Sequence, residues 1–72
     1  MTYLEEIADI LAKKALADPE NLNDNKVIDL MADAISASSA TLQETFLTAI
    51  RIRRAEIRAL AVLEKYNAKQ DR

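Results

Sequence analysis

The residues best suited to chemistry are four arginines in one short stretch: Arg51, Arg53, Arg54 and Arg58. A guanidinium stays charged and offers a planar fork of donors to phosphate or carboxylate. At 100° per residue along a helix, Arg51, Arg54 and Arg58 fall with Lys65 within about 60° of one another. They form a basic stripe that could hold an anion or an acidic partner. The same stripe could instead pair with acids of its own chain. The stripe has four bases and the overall charge is −2, which favours pairing, because phosphate binders usually carry a basic surplus. Arg53 points away from the stripe, towards the side of Phe46, Ile57 and Leu60. It is expected in a partly buried ion pair with an acid of another helix or a second subunit.

A second cluster, Asn21, Asn23, Asp24, Asn25 and Asp29, has oxygen donors enough to suggest calcium. An EF-hand loop needs Gly at its sixth place and a bidentate Glu at its twelfth. Counted from Asn21, those places hold Lys26 and Ala32. Turn formation and helix capping explain the cluster instead. No catalytic, cofactor-binding or metal-binding residue is assigned. The chain has no His and no Cys, so the commonest general base, thiol nucleophile and transition-metal ligands are missing. It has no Gly, which removes phosphate-cradling loops and dinucleotide fingerprints. Carboxylates and arginines alone form no nucleophile–base pair here. Tyr3 and Tyr66 read as rim-packing aromatics. The expectation is a protein that is not an enzyme.

These residues must be carried by a small chain. Seventy-two residues allow one domain, 1–72, which hides only about 60% of its unfolded surface when folded alone. Such chains often depend on disulfides, metals or partners. With no Cys or His, oligomerisation is the remaining support. Charge is uneven along the chain. Residues 1–44 hold nine acids and three lysines, net −6; residues 45–72 hold seven bases and three acids, net +4. The halves can neutralise each other within one chain or across a dimer. Glu5, Glu6 and Asp9 sit where a signal peptide would need a basic start and an apolar core. No apolar run approaches a membrane span of about 20 residues. A cytoplasmic location and no membrane partner are expected.

The pattern of apolar residues is helical throughout. Thr2-x-x-Glu5 fits a capping box. Leu4, Ile7, Ala8, Leu11 and Ala15 then repeat at helical spacing. Asp18-Pro19 should end this first helix, predicted over 3–17. Asn23, Asp24 or Asn25 should cap a second helix over 26–37, with Val27, Leu30, Met31, Ala34 and Ile35 on its apolar side. Residues 36–41 are rich in Ser and Thr and read as a weak break, with Thr41-x-x-Glu44 as a further capping box; no Gly or Pro forces a stop there, so the alternative is one continuous helix. The third helix is long, about 40–68. Leu42, Phe46, Ala49, Ile50, Ile57 and Leu60 point one way along it; Ile52, Ala55, Ala59, Leu63 and Tyr66 point another. A helix apolar on two faces is generally buried on two faces. The two short helices cover one, and a second copy could cover the other.

Residues 31–46 resemble the helix-turn-helix of tetracycline-repressor-type regulators. Ala32, Ala37, Ser38, Thr41, Leu42 and Phe46 fall at matching places. The resemblance covers 16 residues and implies a recognition helix near Ser39–Thr45 and a DNA partner. Ser36 stands at the turn position usually held by Gly, and Gln43 and Thr45 stand at positions usually aromatic.

The sequence thus predicts an all-α, three-helix domain, two short helices packed on one long C-terminal helix, paired in a helical-bundle homodimer. The expected core is Leu4, Ile7, Leu11, Val27, Leu30, Met31, Ile35, Leu42, Phe46, Ile50, Ile57 and Leu60. The expected self-association surface is Ile52, Ala59, Leu63 and Tyr66. The leading functional expectation is a non-enzymatic interaction module, an adaptor, regulator or assembly subunit, working as a homo-oligomer. Another protein could share that surface. The alternative is a small DNA-binding regulator using Ser38–Thr45 and the stripe of Arg51, Arg54, Arg58 and Lys65.

Overall fold

Thr2 starts the first helix, α1 (Tyr3–Leu16). Its hydroxyl accepts from the Glu5 backbone N–H at 3.1 Å and donates to the Glu5 carboxylate at 3.0 Å. Glu5 thus reaches back to the hydroxyl of Thr2 to complete the cap. The computed structural model describes residues 1–70; Asp71 and Arg72, which enter the charge count, lie outside the described residues. Asp18 takes the extended conformation that a following proline favours, with φ −86° and ψ 116°. The chain then makes a 3₁₀ turn, Pro19–Leu22, before the second helix.

Helix α2 (Lys26–Ser36) begins where the Asp24 carboxylate accepts from the Lys26 N–H at 2.9 Å. It ends as the N–H groups of Ser38 and Ser39 both donate to the Ile35 carbonyl. Ser39 then caps α3 (Ala40–Gln70), its hydroxyl accepting from the Leu42 N–H at 3.0 Å. Thr41, the expected cap, lies within the first turn, and its carbonyl accepts from the Thr45 hydroxyl. Among the described residues none has positive φ, so every turn is made without glycine.

The fold is all-α, with α1 and α2 packed on a long α3, as expected. Residues Glu5, Ala8 and Asp9 of α1 lie beside Thr45, Ala49 and Arg53 of α3. The two helices therefore run in the same direction and pack directly on each other, and α2, which packs mainly on α3, carries the chain back in the opposite direction. No helix among the described residues is long and apolar enough to cross a membrane.

The core differs in detail from the expected one. Its buried residues are Ala8, Ala12, Ala15, Ile28, Ala32, Phe46 and Ile50. Leu11, Leu16, Met31, Ile35, Leu42, Leu47 and Ala49 pack around them. An alanine ridge on α1, at i, i+4 and i+7, lets the backbone of α1 come close to Phe46 and Ile50, as ridge-in-groove packing requires. The larger Leu4, Ile7 and Leu11 are left on its flanks, half-buried. On α2 the buried stripe is Ile28, Met31, Ala32 and Ile35, so Val27 and Leu30 are exposed. The expected face was about one residue out of phase. Leu60 is exposed because neither short helix reaches it. At about 1.5 Å per residue, the 31 residues of α3 span about 46 Å. The radius of gyration is 14.6 Å, against about 11 Å for a compact globule of this length.

Candidate functional site

Three features on α3 use the residues that drew attention in the sequence. The first is the Arg53 pair. The Arg53 guanidinium donates to both carboxylate oxygens of Asp9 at 2.7 Å, through Nε and Nη2. Its Nη1 donates to Glu56 at 3.1 Å. The acid belongs to another helix of the same chain. Hydrogen bonding from Arg53 holds the Asp9 carboxyl below the usual range, against the opposing effect of desolvation. The same bond raises the Arg53 pKa further above its ordinary value. A fork-on-carboxylate contact of this kind fixes orientation as well as charge, and here it locks α1 against α3.

Beside this pair lies a groove of about 380 Å³ between the start of α1 and the first half of α3. Its lining includes Ala8, Thr45, Thr48, Ala49 and Ile52, with Glu5, Glu56 and the Asp9–Arg53 pair itself also on its wall. Nothing in the sequence pattern pointed to it. The signal available was the run of small residues, Thr45, Thr48 and Ala49, facing an α1 that starts opposite them.

The second feature is a clamp on the loop. Arg54 Nη1 donates to Asn25 Oδ1 at 2.7 Å, and Nη2 donates to the carbonyls of Asn21 and Asp24 at 2.7 and 3.1 Å. Arg58 Nη2 donates to Asn23 Oδ1 at 2.9 Å. Asn21 in turn donates from Nδ2 to the Ala15 carbonyl at 2.8 Å, closing the end of α1. The Asn and Asp residues therefore present oxygens to arginine. Arg54 Nε is buried with no hydrogen-bond partner, so the guanidinium is aimed by its two terminal nitrogens. Arg54 and Arg58 do engage the acidic half of the chain, through carbonyl and amide oxygens. Arg51 and Lys65, the other members of the stripe, are exposed. Among the described residues, no group of three or more acidic side chains is placed to hold a metal ion.

The third feature is the uncovered surface of α3. Ile52, Val62, Leu63 and Tyr66 are 63%, 69%, 52% and 59% exposed, and Leu60 is half exposed. Ala59 is exposed as well. Ile52, Ala59, Leu63 and Tyr66 thus share one bare side of the helix, away from Phe46 and Ile50. Val62 widens that strip and was not among the residues singled out. No protein-family model, curated protein or solved structure matches this chain.

Proposed function

We propose that this chain is a non-enzymatic interaction module that works as a homo-oligomer, joined through the bare face of α3. One observation carries the reading. Ile52, Leu63 and Tyr66 are each more than half exposed on a helix whose opposite face already holds the core. Apolar surface of this kind gains roughly 25 cal/mol for each Å² removed from water. Contiguous apolar strips on small chains mark protein contacts. The state of the arginines also fits. Arg54 and Arg58, two of the stripe's four members, are committed to internal oxygens, which gives a duplex-binding stripe less support.

Light scattering across a range of protein concentrations, in low and high salt, tests the reading. The expected result is a mass of at least twice the 8.0 kDa of one chain, persisting in high salt because the contact is apolar. The single-chain mass at every concentration would overturn it.

A further inference from the structure

We infer that the partner on this face is a second copy of α3 running antiparallel. Its stretch 60–67 sits in the groove between α1 and α3 of the first copy, and the reverse contact forms by symmetry. This rests on the self-association proposed above and specifies its geometry.

Two separate observations meet in this arrangement. The groove lies along the first half of α3, and its lining includes Ala8, Thr45, Thr48, Ala49 and Ile52. The bulky bare side chains lie mainly along the second half: Leu60, Val62, Leu63 and Tyr66. In a parallel pair, groove would face groove and bulk would face bulk. In an antiparallel pair, the convex end of each copy enters the concave half of the other. A two-fold contact must be self-complementary in this sense, residue i meeting j while j meets i.

The spacing supports the same conclusion. Thr45, Ala49, Ile52, Glu56, Ala59, Leu63 and Tyr66 alternate steps of four and three, the seam of a helical pair. Facing positions in a two-fold antiparallel pair have numbers with a constant sum, here about 115. That register sets Leu63 of the second copy against Ile52. It also sets Tyr66 of the second copy against Ala49, and on the flank Val62 against Ala55. Leu63 and Ile52 meet as an apolar pair, and the bulky Tyr66 and Val62 each meet an alanine, as interdigitating packing demands. Glu56 is the one charged residue on the α3 seam; Glu5, Asp9 and Arg53 also line the groove, the last two bonded to each other. Glu56 is held by its own Arg53 and faces Ala59 of the second copy, which leaves it room.

Area points to the groove as part of the contact. Residues 45–69 run about 37 Å, and a strip one helix wide is about 10 Å across. A single-helix seam therefore covers only about half of the ~800 Å² per partner in a standard stable interface. The wall supplied by α1, 14 residues long or about 21 Å, adds roughly 200 Å² along the first half of the seam and brings the strip to about three-quarters of that size.

The chain has no Cys, so single cysteines report on geometry without background. Ile52→Cys and Leu63→Cys are both at exposed positions, and circular dichroism checks that each variant stays helical. The two variants, one carrying a tag to shift its mass, are oxidised separately and as an equal mixture. In the antiparallel register, copies of residue 52 lie about 16 Å apart along the helix axis, beyond the roughly 7 Å that a disulfide spans. The expected result is a mixed disulfide in the mixture and no linked dimer from either variant alone. Linking of a single variant would establish a parallel pair and overturn the inference. So would a dimer mass by light scattering with no mixed disulfide, while self-association stood. A single-chain mass for the unmodified protein would remove both.

Discussion

Residues 42–57 and residues 59–69 belong to one continuous helix, yet the first stretch is packed and the second is bare. Both are helical for the same local reasons. Neither contains Gly or Pro, and both are rich in Ala, Leu, Ile, Arg, Glu or Lys, mostly residues of good helix propensity. They differ in what lies beside them. The 14 residues of α1 and 11 of α2 reach about 21 and 16 Å, against about 46 Å for α3. Leu60 lies close to the line of Phe46 and Ile50 on the helix, but only Phe46 and Ile50 are buried. In a chain this small, the reach of neighbouring elements decides burial as much as the identity of the residue. The clamp of Arg54 and Arg58 on the loop marks the boundary, since the loop is the last structure that touches α3.

The contrast can be broken by substitutions on either side of that boundary. The largest effect is expected from Phe46→Ala, at about 3–5 kcal/mol. Leu60→Ala should cost less than about 1 kcal/mol on the same scale. Urea unfolding in a Leu63→Glu background, where assembly does not contribute, compares the two. Equal losses would mean that the second half is packed as tightly as the first. Next comes the boundary itself. Arg54→Ala removes three charge-assisted hydrogen bonds and should destabilise by about 1–3 kcal/mol. Arg51→Ala on the neighbouring exposed position should stay within about 0.5 kcal/mol.

Leu63→Glu sharpens the comparison from the bare side. It should change monomer stability by no more than about 0.5 kcal/mol, yet reduce the mass in solution to that of one chain. The wild-type mass in this variant would show that the assigned surface is not the contact.

The smallest effect concerns Asp9, and its direction follows from linkage. Its folded pKa is held below the unfolded value by Arg53, so its contribution is present above the unfolded carboxyl pKa of about 3.9. It is lost as pH falls through the lower folded value. Asp9→Asn should therefore flatten the acid limb of the stability curve below about pH 4, measured by thermal melting against pH. An unchanged acid limb would show that the pair contributes nothing to folding.

Much of this arrangement was legible in the sequence because its signals are local. The Thr2–Glu5 cap, the stop at Asp18-Pro19, the break before α3 and the two-faced character of α3 depend on residues a few positions apart. Arg53 could be assigned to an ion pair from its phase alone, since a charge pointing to the core side needs a partner. What was missed depends on contacts between elements. The alanines of α1 carry little hydrophobic weight in a pattern, but they are what allow close approach. The phase of α2 was misjudged because Val27 and Ile28 are equally apolar, and only docking on α3 selects between them. The role of Arg54 and Arg58 required knowing that the oxygen-rich loop folds back beneath them. The groove is a property of two helices side by side, which no single segment reveals.

The central claim is that the first half of α3 holds the chain together while the second half awaits a second copy of the chain. Hydrogen exchange at two protein concentrations tests this most directly, one well above and one well below the dissociation midpoint found by light scattering. Amides of residues 46–57 should be equally protected at both. Amides of residues 59–69 should be protected in the concentrated sample and exchange rapidly in the dilute one. Protection of residues 59–69 that does not change with concentration would contradict the claim.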